Sequence, residues 1–209
     1  MKPVSKRGSV TYYARPPWFT EHQSSLFDLR AEDDYPFWEV LAFVGECDSV
    51  CHAYASVLGA SFEDAQTGSR SAESHHLFAV QLVEAAWTLV AYTTQNETCV
   101  TPAGEARLDR HALLLSEWAS TSVLALSGQD VLEYEKGVRL PENGKRLSER
   151  YERDEYAVDN EWHEHLASKS VFLPPMHIVR TSPVEFILWG VKPEDVACVS
   201  SIVVPPSEW

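Results

Sequence analysis

The chain has 209 residues and a formal net charge of −14, because its 31 acidic side chains outnumber its 17 basic ones. Hydrophobic residues make up 44% of the sequence and aromatic residues 11%, which is enough to build a core and excludes a disordered acidic tail. The isoelectric point of about 4.9 argues against binding to nucleic acids or anionic membranes, because both require a basic surface.

The first elements of the chain are a basic segment and a strand. Residues 1–8 contain three basic side chains and no apolar run, so we expect a flexible basic tail without a signal-peptide core. The β-favouring residues Val10 to Tyr13 predict an opening strand over residues 9–15, ended by Pro16-Pro17. Residues 16–34 predict irregular structure.

Two helices are predicted next along the chain. Pro36 favours the start of a helix that contains Trp38, Leu41 and Ala42. After Gly45, a cap at Asp48 or Ser49 precedes apolar residues at positions 50, 51, 54, 57 and 58. That spacing places the apolar residues on one face of a helix, so we predict an amphipathic helix here.

The middle of the chain predicts two longer helices. Residues 77–92 are apolar on nearly all sides, which favours a central buried helix. Thr101-Pro102 is typical of a helix start, and the apolar face of this helix runs from Leu108 to Leu126, with a stop at Gly128.

The last third of the sequence changes from charged to β-favouring. Lys136-Gly137 and Asn143-Gly144 predict turns, and the charged residues 145–168 predict a solvated helix. Apolar runs at 171–173, 178–179, 184–189 and 196–204 predict strands. We therefore predict a single α+β domain over residues 1–209. It has central buried helices and a mainly antiparallel sheet drawn from the N-terminal strand and the C-terminal third.

The four cysteines are unevenly spaced and contain no CxxC pair: Cys47, Cys51, Cys99 and Cys198. In a chain of this length such a set favours reduced, buried thiols over a disulfide framework. Cys51 lies on the apolar stripe next to His52, which favours a core thiol over a catalytic one. With no signal-peptide core, the sequence predicts a cytoplasmic protein.

The strongest metal-site candidate lies in the charged segment, at His163 and His165. Two histidines two residues apart point in different directions on a helix, so a solvated helix face is the favoured interpretation. The adjacent pair His75-His76 fails for the same reason and is expected to flank the buried helix. Glycine-based nucleotide motifs are absent from the sequence, so we predict no cofactor, no metal and no catalytic residues.

The acidic charge is concentrated in residues 16–70, where ten acidic residues face two basic ones. Bulky rings alternate there with carboxylates, a combination that suits a basic protein partner because rings anchor and carboxylates steer. The alternative is that the rings belong to the core. The predicted partner-binding residues are Trp18, Phe19, Asp28, Glu32, Asp33, Asp34, Tyr35, Trp38 and Glu39.

The sequence is compatible with three classes of function. The leading hypothesis is a non-catalytic acidic protein that neutralises a basic protein, as an immunity protein does with a nuclease-type bacterial toxin. A phage-type inhibitor that mimics DNA charge follows from the same reasoning. The second class is a metal-dependent hydrolase with dispersed residues around His163 and His165. The third is a scaffold protein that self-associates.

Overall fold

Two β-sheets and two long helices form the part of the chain that the structure describes. The structure is a computed structural model, and it describes residues 3–14, 39–68, 75–92, 102–127, 130–141, 165–174, 176–179 and 183–208. The α+β class predicted from the sequence is confirmed.

The larger sheet has eight strands, and all of its strand pairs are antiparallel. Seven of its strands come from residues 39–139. In order across the sheet they are β4 (Ser61–Asp64), β12 (Val196–Val204), β5 (His75–Leu82), β6 (Trp87–Ala91), β3 (Glu39–Val44), β7 (Ser122–Ser127), β8 (Asp130–Glu135) and β9 (Val138–Arg139).

The smaller sheet has four strands, from the N-terminal and C-terminal segments. The sequence predicted a single sheet of this origin, and that prediction is wrong for the larger sheet, whose strands come mainly from residues 39–139. The order in the smaller sheet is β1 (Ser5–Arg7), β2 (Val10–Tyr13), β11 (Glu185–Trp189) and β10 (Met176–Val179). The β2–β11 pair is parallel and the other two pairs are antiparallel. Residues 5–7 of the predicted basic tail therefore belong to a sheet.

The three layers follow from the alternation of side chains along the strands of the large sheet. One face packs on helices α1 (Cys47–Leu58) and α2 (Pro102–Ala119), and the other face packs on the smaller sheet. Phe78 and Phe186 join the two sheets, with stacked rings whose centroids lie 4.7 Å apart. The helices therefore cover one face of the large sheet, and the predicted central position of the helices is wrong.

Residues 77–92 form two strands instead of the predicted buried helix. Strands β5 and β6 pair as a hairpin whose turn contains Glu84 at φ 62°. Both faces of these strands are buried, because Leu77 and Val90 pack on the helices while Phe78 and Leu89 pack on the smaller sheet. A strand buried on both faces is apolar at every position, and this pattern cannot be told from a buried helix by periodicity.

The helix predicted to start at Pro36 is also a strand where it is described. Leu41 and Ala42 lie in β3, whose neighbours are β6 and β7. The helix face of the large sheet buries Leu41, and the opposite face buries Ala42. Pro36 and Trp38 lie outside the described residues.

The two other helix predictions are confirmed in position, although α1 begins at Cys47 and the predicted cap at Asp48 or Ser49 is wrong, since both residues lie inside the helix. Helix α1 buries the predicted stripe at Val50, Cys51, Tyr54 and Leu58, and it ends at Gly59 with φ 64°. Helix α2 starts at Pro102 as predicted but ends at Ala119. The residues that the sequence assigned to its last turns form strand β7, because they pair with β3 on one side and β8 on the other.

The C-terminal strands agree with the sequence prediction in most positions. Strands β10, β11 and β12 cover the apolar runs at 178–179, 184–189 and 196–204, whereas residues 171–173 form no strand. The turn predicted at Lys136-Gly137 joins β8 to β9, with Gly137 at φ 75°. The predicted helix over 145–168 is described only at 165–168, which are helical. The Asn143-Gly144 turn lies outside the described residues.

Candidate functional site

One end of the large sheet brings together connections from five parts of the chain. The Gly45 N–H donates to the Ala86 carbonyl at 3.0 Å, and the Val83 N–H donates to the Asp195 carbonyl at 2.9 Å. The Thr121 hydroxyl donates to the Val44 carbonyl at 3.2 Å, which ties the end of α2 to the same place. The β8–β9 turn lies beside it, because Ser122 at the start of β7 pairs with Glu135.

We call this region the acidic end. It consists of exposed residues from these connections, namely Val44, Glu46, Asp48, Val83, Glu84, Glu117, Trp118, Glu135, Lys136, Val138, Lys192, Glu194 and Asp195. Seven of these side chains are carboxylates and two are lysines. Seven strands, β12 to β9, reach this end, and their six spacings of about 4.8 Å give it a width of roughly 29 Å.

Exposed apolar side chains are concentrated at the acidic end. Six large hydrophobic side chains are exposed in the described ranges, and four of them lie here. Their exposed fractions are 42% for Val44, 51% for Val83, 51% for Trp118 and 60% for Val138. Single exposed apolar residues are ordinary on a protein surface, so it is the concentration of four of the six at this end that makes it a candidate site.

Polar side chains of β5 and β6 hold the connections of the acidic end in place. The Gln81 side chain accepts from the Cys47 N–H at 3.1 Å and donates to the Ala85 carbonyl at 3.0 Å. The Thr88 hydroxyl donates to the Gly45 carbonyl at 2.8 Å. Gln81 thus satisfies one of the free N–H groups at the start of α1, which has no side-chain cap of its own.

A cluster of thiols lies directly beneath the acidic end, between α1 and β12. Cys47 and Cys51 are one turn apart on α1, and Cys198 and Ser200 face them from β12. The Sγ atoms of Cys47 and Cys198 are 2.6 Å apart, and Ser200 Oγ is 3.6 Å from Cys198 Sγ. All three cysteines are free thiols, and Cys51 is fully buried in the helix-side core, as the sequence predicted.

The second polar cluster on the helix side is a buried chain of hydrogen bonds. The Tyr54 hydroxyl is 2.6 Å from the Tyr92 hydroxyl, which is 2.9 Å from His111 Nδ1. His111 Nε2 donates at 3.1 Å to the Glu208 carbonyl, and a carbonyl can only accept. This fixes the direction of the chain, so that Tyr92 donates to Nδ1 and Tyr54 donates to Tyr92.

Burial shifts the pKa of all three titratable side chains in this hydrogen-bonded cluster. Desolvation raises the pKa of Tyr54 and of Tyr92, and it lowers the pKa of His111 to about 4. All three side chains are fully inaccessible to solvent. The hydrogen-bond chain therefore links α1, the residue that follows β6, α2 and the C-terminal residues inside the core, and it offers no surface to a substrate.

The structure describes one of the nine predicted partner-binding residues. Glu39 begins β3 at the end of the large sheet opposite to the acidic end, and its carboxylate is 3.2 Å from Arg107. Its side chain is only 6% exposed. The other eight lie outside the described residues, namely Trp18, Phe19, Asp28, Glu32, Asp33, Asp34, Tyr35 and Trp38.

The histidines predicted as alternatives do not assemble a metal site in the described ranges. His163 lies outside them, and His165 begins a helical turn. His76 is buried in β5, where its Nδ1 is 3.3 Å from the Ser201 hydroxyl. Within the described part of the chain, no group of three or more His, Cys, Asp or Glu side chains has the arrangement to hold a metal ion.

Sequence reasoning missed the acidic end because its residues come from positions between 44 and 195. A signal was present, since residues 39–68 and 75–92 contain six acidic side chains and no lysine or arginine. That signal indicates an acidic surface but not its position in the fold, because strand pairing decides which connections lie at the same end of the sheet.

Comparison of the chain with known protein families, with curated proteins and with solved structures found no match. In the described residues, no helix combines the length and the apolar character that crossing a membrane requires.

Proposed function

We propose that this chain is a non-catalytic acidic protein that binds and neutralises a basic protein partner, and that the acidic end is its docking surface. The proposed partner is a nuclease-type bacterial toxin, with this chain as its immunity protein. The proposal is carried by one observation, the coincidence of seven exposed carboxylates with four exposed apolar side chains at the acidic end.

The two kinds of side chain have complementary roles in binding. Carboxylates raise the rate of encounter with a cationic protein and disfavour acidic partners. Apolar and aromatic side chains contribute affinity when the partner removes them from water, and tryptophan is the most effective anchor. Trp118 is the only exposed aromatic ring of the acidic end, so we assign it the anchoring role.

A nuclease supplies the matching surface. It needs positive charge to hold the phosphates of its substrate, and that charge lies in the cleft where cleavage takes place. A circular patch of about 800 Å², the area that a standard interface buries on each partner, is about 32 Å across, and the acidic end is roughly 29 Å wide. Occupying the cleft would block the substrate without any chemical step.

The predicted surface of residues 18–39 is retained as a second contact region in this proposal. Its described member, Glu39, is paired with Arg107 inside the protein. A change of charge at Glu39 therefore tests stability rather than binding. Glu32, Asp33 and Asp34 are the residues that allow the second region to be tested.

Growth of a bacterial host tests the function. The probe is the product of the reading frame adjacent to the gene for this chain, expressed alone and together with the chain. We expect the probe to stop growth when expressed alone and the chain to restore it. If no adjacent product is toxic, or if the chain gives no protection, the proposed function is wrong.

Two triple variants with the same change in net charge locate the surface. Glu46→Lys/Glu84→Lys/Glu194→Lys changes the acidic end, and Glu32→Lys/Asp33→Lys/Asp34→Lys changes the second region. We expect the first variant to slow association with the probe by about tenfold or more at low salt, and the effect to shrink at high salt. Equal effects of the two variants would show that net charge alone matters.

The anchoring role of Trp118 is tested by comparing the effects of two aromatic-to-alanine substitutions on binding affinity. Trp118→Ala should weaken binding by about 30-fold, which corresponds to about 2 kcal/mol for a hot-spot residue. Phe172→Ala is the matched control, because Phe172 is also half exposed but lies outside the acidic end. A loss of affinity in the control as large as in the Trp118 variant would contradict the assignment.

A further inference from the structure

Cys47 and Cys198 are far apart in the sequence and in contact in the fold. Cys47 is the first residue of α1, and Cys198 is the third residue of β12. Their Sγ atoms lie 2.6 Å apart, which is closer than the roughly 3.5–4.0 Å at which non-bonded heavy atoms pack. The two sulfur atoms are therefore already in contact, as a disulfide bond between them requires.

A β-bulge in β12 turns Cys198 toward Cys47. Val196 pairs with Leu82 and Cys198 pairs with Gln81, so Ala197 is an extra residue in the strand. As a result Val196 packs between the two sheets while Cys198 faces α1, although strict alternation would place both on the same face. The contact of the two thiols therefore depends on an irregularity of the strand.

The three thiols of the cluster differ in access and in acidity. Cys198 is partly exposed, whereas Cys47 and Cys51 are buried. Hydrogen bonding with the Cys47 thiol and with the Ser200 hydroxyl lowers the pKa of Cys198 to about 7, against the opposing effect of burial. The same interaction raises the pKa of Cys47, which therefore keeps its proton.

These properties assign different roles to the two cysteines. An oxidant reaches Cys198 first, because Cys198 is the partly exposed residue of the three and its lowered pKa favours the thiolate, which is the reactive form. The pKa of Cys51 is lowered as well, but Cys51 is fully buried. Cys47 is placed to complete the reaction, because its sulfur already touches that of Cys198. Cys51 belongs to the same cluster but is buried behind Cys47 on the helix.

We propose that Cys198 and Cys47 form a reversible disulfide bond when the protein meets hydrogen peroxide. The Cys198 thiolate attacks one oxygen of the peroxide, which breaks the O–O bond and gives a sulfenic acid and hydroxide. The Cys47 thiol then attacks the sulfenic sulfur, which forms the S–S bond and releases water. Overall, two thiols are oxidised to one disulfide and one hydrogen peroxide is reduced to two waters. One water forms in the second step, and the other forms when the hydroxide takes up the proton that the Cys198 thiol lost.

This site is independent of the partner proposed above, and its chemistry is tested on the full-length chain alone. The reduced protein is treated with a small molar excess of hydrogen peroxide, and free thiols are counted before and after. We expect the four thiols of the sequence to fall to two. A peptide map without reduction should show Cys47 joined to Cys198, and dithiothreitol should restore all four thiols.

Four serine variants separate the roles. Cys51→Ser and Cys99→Ser should form the disulfide as the wild type does. Cys47→Ser/Cys51→Ser should form no intramolecular disulfide and should hold a sulfenic acid at Cys198 that a dimedone reagent traps. Cys198→Ser should give neither product, because it lacks the attacking thiolate.

The thiol count and the peptide map of the wild-type protein are enough to contradict the proposal. The test therefore does not depend on the folding of any variant. Retention of four thiols at the peroxide concentration that oxidises free cysteine would contradict it. A cross-link between any other pair of cysteines would also contradict it. Oxidation of Cys198→Ser to the same extent as the wild type would show that Cys198 is not the attacking residue.

Discussion

His111 makes the stability of the protein depend on pH in a defined range. Its ring is fully buried between Tyr92 and the Glu208 carbonyl, and burial lowers its pKa from 6.5 to about 4. In the unfolded chain the ring is protonated below pH 6.5, whereas in the folded protein it stays neutral down to about pH 4. The unfolded state therefore binds more protons in this interval, and stability falls as the pH falls.

The size of the effect follows from the two pKa values. A difference of one pKa unit corresponds to 1.36 kcal/mol, so the full interval contributes about 3 kcal/mol. Between pH 7 and pH 4.5 the folded protein loses about 2 kcal/mol through this residue alone. Below about pH 3 the ring is almost fully protonated in both states, and His111 contributes no further loss.

Urea unfolding at pH 7 and at pH 4.5 measures this contribution. His111→Gln removes the titrating ring, at a cost of about 1–3 kcal/mol at pH 7 because hydrogen bonds of the buried chain are lost. The loss of stability between the two pH values should be about 2 kcal/mol smaller in this variant than in the wild type. His52→Gln is the matched control, because His52 is an exposed histidine on α1. Equal pH dependence in the His111 variant and the wild type would refute the reasoning.

Two further predictions concern the core and its ion pairs, and urea unfolding at pH 7 measures both. Glu39→Ala should lower the free energy of unfolding by about 3 kcal/mol, because it removes the nearly buried carboxylate that the Arg107 guanidinium contacts at 3.2 Å. Lys6→Ala should cost less than about 1 kcal/mol, because its ion pair with Glu185 is exposed. Similar costs for the two changes would contradict the assignment of burial. Phe186→Ala should cost about 3–5 kcal/mol, because the Phe78–Phe186 stack joins the two sheets, and a cost below about 1 kcal/mol would show that the sheets do not depend on it.

Local patterns in the sequence were sufficient where a segment has one buried face or a strong start signal. The apolar stripe of α1 and the Thr-Pro start of α2 gave the right elements, because a helix with one exposed face shows its period directly. The strands β2, β11 and β12 were found from β-favouring runs between prolines and glycines. These signals depend on neighbours in the chain and need no knowledge of the fold.

The same reasoning failed for segments buried on both faces. Residues 77–92 are apolar throughout because they lie in the middle of three layers, and that pattern carries no period. The end of α2 was placed too late for a related reason, since β3 and β8 recruit residues 122–127 into the large sheet. Pairing across the sheet outweighed the local helix pattern there.

The sequence by itself determined the composition of the candidate sites, and the tertiary structure decided their positions. It showed an excess of carboxylates and four cysteines without a spacing motif. Only the antiparallel order of eight strands brings Glu46, Glu84 and Glu194 to one end, and only a bulge in β12 turns Cys198 onto Cys47. The physical reason is that strand pairing and side-chain direction depend on contacts between distant segments, which no local pattern encodes.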